Sequence, residues 1–165
     1  MKGAFFILLS FVGSALLAQD ALDTLLESHP SPGIPYISVT EARMLQLHKK
    51  AILLDTRTQE EFEVSKIPTA HLIGSTDFSP MAIQKIVRDK NTLIIVYCSV
   101  GIRSQKIAQK LKKLGYTDVK NLYGGIFEWK NEDFPIVDQE GKETERIHTY
   151  SKYWGKYLKK GIKVE

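Results

Sequence analysis

An α/β fold, with a mainly parallel central sheet flanked by helices, is what this sequence predicts. Three observations carry that expectation. From residue 36 onward, short apolar runs alternate with segments patterned like helices. The run Leu93-Ile94-Ile95-Val96-Tyr97 is continuously apolar and rich in β-branched residues, which suits a strand covered on both faces. The segment 103–114 behind it carries Ile107, Leu111 and Leu114 as an apolar stripe at helical spacing, and Gly115 closes it.

The remaining elements follow in order. Residues 36–39 read as a short strand. Ser38 and Glu41 stand at capping-box spacing, with Thr40 a competing cap, ahead of a helix over 42–47. Residues 51–54 form a buried-strand run before an acidic helical segment at 58–64. A strand over 70–73, a helix over 81–87, a strand over 119–122 and a short helix from Gly124-Gly125 to Trp129 complete the alternation.

Length and composition allow one domain with extensions. Lys2 followed by the apolar and small residues 4–18 has the form of a signal peptide, too short to span a bilayer comfortably. The preferred cut lies after Ala18, with Ala15 as the alternative, and no cysteine follows to carry a lipid. The expectation is an exported protein, periplasmic first, with a secreted or membrane-anchored product as the alternatives. Residues 19–35 read as a linker, because Pro30, Pro32 and Pro35 break regular structure. The net charge of +4 is too weak for a nucleic-acid partner, which needs a denser cationic face. His29, His48, His71 and His148 are scattered and lack cysteine partners, so neither a metal nor another cofactor is expected.

The chain has a single cysteine, Cys98, and therefore no internal disulfide. In an exported chain an odd thiol is a candidate reactive group. Cys98 stands where the most apolar strand ends, and Ser99, Val100, Gly101, Ile102, Arg103 and Ser104 lead from it into the next helix. At the carboxyl end of a parallel strand such a loop can turn its backbone N–H groups inward as an anion-binding nest. The helix adds unpaired N–H groups and the positive end of its dipole. That setting favours the thiolate, the nucleophilic form of cysteine.

Four residues separate Cys98 from Arg103, and Tyr97 precedes the cysteine. Cysteine-dependent phosphatases carry five residues in that gap and a histidine before the cysteine, whereas the smaller loop resembles that of the rhodaneses. Leu53-Leu54-Asp55-Thr56-Arg57, Glu60-Glu61-Phe62, Ile67-Pro68-Thr69-Ala70, the segment from Leu122-Tyr123-Gly124-Gly125 to Trp129, and Phe134-Pro135-Ile136-Val137 also resemble that family's motifs, in order. Together they cover residues 36–137. The departures are Ser65-Lys66 in place of Gly-His, Thr69 in place of Gly, and Ser99-Val100 where some thiosulfate-using members are cationic.

The resemblance implies a rhodanese-like three-layer sandwich and a sulfurtransferase or sulfane-sulfur carrier. Cys98 would hold a persulfide, taken from a small sulfur donor and passed to a thiol or cyanide-like acceptor. Ser99 to Ser104 would form the anion-binding loop, with Arg103 orienting the loop or donor, or pairing with a carboxylate. Ser104 is expected to cap the helix, with donation toward the sulfur as the alternative. Asp55, Arg57 and Glu61 are expected as structural support, with Arg57 pairing Glu61 or a neighbouring carboxylate. Trp129 reads as a core or pocket-wall aromatic. The alternative is a non-catalytic rhodanese-fold interaction module in the cell envelope; a phosphatase or arsenate reductase is disfavoured by loop length. Residues 138–165 form a basic aromatic extension. There Ile147, Tyr150, Tyr153/Trp154, Tyr157 and Leu158 recur at helical spacing, so a helix is expected, packed on the domain or offered to a protein partner or membrane surface.

Overall fold

The computed structural model describes residues 21–30, 32–76 and 78–165. The expected signal peptide, 1–18, lies outside them. The chain divides into two units, 1–30 and 31–165. In the first, residues 21–27 form a helix, α1, within the stretch read from sequence as a linker. No helix among the described residues is long and apolar enough to cross a membrane.

The second unit runs β1 (Tyr36–Ile37), α2 (Val39–Leu47), β2 (Ile52–Asp55), α3 (Gln59–Val64), β3 (His71–Leu72), α4 (Pro80–Ile86), β4 (Ile94–Tyr97), α5 (Ile102–Lys113), β5 (Val119–Leu122) and α6 (Gly125–Asn131). The five strands make one parallel sheet, ordered β1-β5-β4-β2-β3. Every predicted strand and helix of the domain is present, with ends displaced by a few residues. Ser38 caps α2 by accepting from the Glu41 N–H, and Thr58 with Glu61 forms a capping box on α3.

Residues Leu54, Ile94 and Val96 pack with Ile83 of α4 and with Ile107, Ala108 and Leu111 of α5. Successive strand residues point to opposite faces, so the equally buried Leu53 and Ile95 belong to the other side of the sheet. The sheet is therefore covered on both sides, the arrangement that continuous apolar strands require. Register positions the site. Asp55 pairs with Tyr97 across β2 and β4, and Val96 with Asn121 across β4 and β5. The residues that follow these strands consequently emerge side by side at the carboxyl edge.

The extension departs from expectation. Its β7 (Glu143–Thr144) pairs with β6 (Ile136–Val137) at the end of the domain, and β8 (Arg146–His148), a single helical turn α7 (Lys152–Gly155) and β9 (Ile162–Val164) follow. Strand β8 pairs in parallel with β9, aligning Ile147 with Lys163. The return depends on Gly161 at φ +96°, where a Cβ would come within 2.8 Å of the Glu145 carbonyl oxygen. Ladder pairing and burial of Ile147, Tyr157 and Leu158 override the helical spacing of the side chains.

Candidate active site

Cys98 directly follows β4 and is buried, 1% exposed. The loop behind it enters α5 through Gly101 at φ +102°, a left-handed conformation that glycine adopts without steric cost. That turn brings the Gly101 N–H to 3.2 Å from Cys98 Sγ. The Ser104 hydroxyl approaches the same sulfur at 3.6 Å and donates to Asn121 Oδ1 at 2.7 Å. Asn121 in turn donates to the Gly101 carbonyl at 2.8 Å, tying β5 to the loop. A backbone N–H directed at a sulfur atom favours negative charge built up there during reaction.

Ser104 is thus not the helix cap. Gly101 holds the cap position, and its left-handed backbone leaves Ser104 inside the first turn, beneath the sulfur. The buried Asn121 was missed from sequence. Its signal was an uncharged polar residue between Lys120 and Leu122 in a short strand, at a position that alternation with Lys120 turns inward.

Arg103 resolves in favour of a carboxylate partner. Its Nη1 and Nη2 donate to the two oxygens of Glu61 at 2.8 and 2.6 Å, and Nη2 also reaches Ser99 Oγ at 2.9 Å. The Ser99 hydroxyl donates to Glu61 Oε1 at 2.9 Å. Burial would push the Glu61 carboxyl up. The Arg103 hydrogen bonds and charge, the Thr58 N–H and nearby Arg57 outweigh burial and hold it at about 2.

Arg57 pairs with Asp55 instead of Glu61, through Nε at 3.0 Å and Nη2 at 2.7 Å, and also donates to the Ser65 carbonyl. Two residues apart on the strand-ending turn, Asp55 and Arg57 meet before Glu61 can compete. Both are fully buried, a bracing pair beside the loop rather than part of its open face. Trp129 is a core residue whose indole N–H donates to the Pro135 carbonyl.

The second glycine of Gly124-Gly125 has a steric role. At φ +59° it lets the start of α6 sit against the loop, and a Cβ there would fall 2.3 Å from the Cys98 carbonyl oxygen. The Ile126 and Phe127 N–H groups donate to the Cys98 and Ser99 carbonyls at 3.0 and 3.1 Å. These two carbonyls are thereby satisfied from behind, on the α6 side, while the Gly101 N–H faces the sulfur.

A cleft of about 140 Å³ opens over the sulfur. Cys98, Ser99, Val100, Ile102 and Arg103 form one wall, and Tyr150 and Trp154 of the extension form the other. The Tyr150 ring lies over the Arg103 guanidinium at 5.1 Å.

The family model for the rhodanese-like domain matches residues 38–132. The chain belongs to the rhodanese-like domain family. A sulfurtransferase of Allochromatium vinosum is 36% identical over 95 residues, 54% of this chain and 81% of that protein. A tRNA uridine(34) hydroxylase of Erwinia tasmaniensis is 31% identical over 97 residues, 57% of this chain but 28% of that protein. The chain thus spans less than a third of the hydroxylases it matches. Among solved structures, a human single-domain sulfurtransferase superposes with TM-score 0.53 at 28% identity, covering 61% of this chain and 98% of that one. The motifs of this rhodanese-like domain occupy the positions just described, while Tyr150 and Trp154 lie beyond the matched residues.

Proposed function

We propose that this rhodanese-like protein is a sulfurtransferase that carries sulfane sulfur as a persulfide on Cys98. The observation that carries the reading is the Gly101 N–H, 3.2 Å from Cys98 Sγ within a loop of four intervening residues, with the Ser104 hydroxyl close by at 3.6 Å. Cys98 thiolate attacks the outer sulfur of a donor, and the donor's sulfur bond breaks with the electron pair leaving on the departing group. The persulfide then holds a negative terminal sulfur close to the loop's N–H groups, which stabilise it. Attack by an acceptor thiolate on that sulfur forms the new sulfur–sulfur bond and returns Cys98 as thiolate.

The Allochromatium sulfurtransferase supports this reading, because the match runs over most of its length. The hydroxylase relatives share the domain over a minor part of theirs. The proposal places the reaction outside the cytoplasm, on the strength of Lys2 and the apolar run 4–18.

Incubation with a polysulfide followed by intact mass measurement tests the chemistry. Wild type gains one sulfur that cyanide removes, and Cys98→Ala gains none. An unloaded wild type, or equal loading of the alanine variant, refutes it.

A further inference from the structure

The wall that the extension places over Cys98 has the wrong chemistry for a small inorganic dianion and the right chemistry for a ring. Val100, Ile102, Tyr150 and Trp154 supply its apolar surface. Arg103 is the one cationic residue among those lining the cleft. Its edge is occupied by both oxygens of Glu61, and its face by the Tyr150 ring at 5.1 Å. A dianion entering there would lose hydration without gaining an uncommitted counter-charge.

The two aromatics are held in place. Tyr150 adopts φ +64°, a costly conformation for a bulky side chain, and its N–H donates to His148 Nδ1 at 2.9 Å. Trp154 packs edge-on against Tyr153 at 5.1 Å and tilts against Tyr157 at 6.2 Å. Backbone strain at a residue that faces the reactive sulfur is a feature that a merely solvent-covering tail does not require. An apolar cavity of about 150 Å³ accepts a benzene ring, and this cleft measures about 140 Å³.

We infer that Tyr150 and Trp154 make the site selective for sulfane-sulfur donors bearing an aromatic group, organic thiosulfonates in preference to inorganic thiosulfate. That selectivity rests on the persulfide chemistry proposed above. With an arenethiosulfonate, Cys98 thiolate attacks the terminal sulfur, the bond between that sulfur and the sulfonyl sulfur breaks, and the arenesulfinate leaves with the electron pair. The aryl ring occupies the space between Tyr150 and Ile102, where edge or offset stacking favours it.

The test measures single-turnover loading of the full chain by benzenethiosulfonate, methanethiosulfonate and thiosulfate. Each rate is divided by that of glutathione with the same donor, which removes leaving-group reactivity. The wild type prefers the aryl donor over the methyl donor by at least about tenfold after correction, with thiosulfate slowest. Tyr150→Ala and Trp154→Ala each lower the ratio at least about threefold, and Trp154→Phe retains most of it. A corrected ratio near one in wild type overturns the selectivity whatever the variants do, as does a ratio unchanged in both alanine variants. Equal corrected loading by every donor removes the selectivity and leaves the persulfide reading standing, whereas no loading by any donor removes both.

Discussion

Arg103 grips Glu61 with a two-pronged ion pair, its two terminal nitrogens 2.6 and 2.8 Å from the two carboxylate oxygens. The pair joins α3 to the first turn of α5 and takes in Ser99, so the loop around Cys98 is anchored from outside itself. Removing one member of a buried pair leaves the other uncompensated, which costs more than the pair contributes. Glu61→Gln should therefore lower stability by about 2 kcal/mol. Arg103→Met added to Glu61→Gln should return part of that loss. Urea unfolding of the four proteins checks this; strictly additive losses contradict the coupling.

The same pair sets an acid limit. The Glu61 carboxyl titrates at about 2 in the folded protein against an ordinary 4.5. A carboxylate held below its unfolded value stabilises fully above the unfolded value, and that stability is lost as pH falls toward the folded one. Stability should decline by about 3 kcal/mol from this group as pH falls from about 4.5 to about 2. Urea midpoints across that range should drop more steeply for wild type than for Glu61→Gln. Parallel profiles would show that another carboxylate governs the acid transition.

Thr69 stands where the related motif has glycine, and its φ of +67° explains the family's choice. The Ala70 N–H bonds the Ile67 carbonyl at 3.1 Å across a turn that needs a left-handed residue, and a β-branched side chain is strained there. Thr69→Gly should raise stability by roughly 0.5–1 kcal/mol, the relieved strain exceeding the added freedom of the unfolded chain. A thermal melt reads this as a rise of about 2 °C. A lower Tm would mean that the threonine makes a compensating contact.

Gly125→Ala should be severely damaging. The added Cβ would meet the Cys98 and Ser99 carbonyl oxygens at 2.3 and 2.6 Å, and backbone on both sides leaves little room to give. A loss of more than about 3 kcal/mol is expected, with sulfur loading of Cys98 falling in parallel. Wild-type stability and loading would show that α6 can withdraw from the loop.

Much of the domain was legible because its signals are local. The β-branched run 93–97 suits a strand covered on both faces and holds β4, and Gly115 directly follows the C-cap of the helix behind it. The extension was misread for the opposite reason. The spacing of Ile147, Tyr150, Trp154 and Tyr157 suits a helix, yet β8 is held by β9, sixteen residues further along the chain. Of the two roles expected of Ser104, capping failed because the cap was decided by the backbone of Gly101, while its place near the sulfur held.

By itself the sequence determined the alternation of strands and helices, the position of the single cysteine at a strand end, and the four-residue interval to Arg103. Each depends on residues close together in the chain, where periodicity and turn chemistry act directly. The tertiary structure alone decided that Arg103 answers Glu61, that Arg57 answers Asp55, that Asn121 fastens the loop, and that Tyr150 and Trp154 face Cys98. Charges and rings choose partners by distance in space. That distance is set by strand register and by the return of the extension onto α3, which no local pattern encodes.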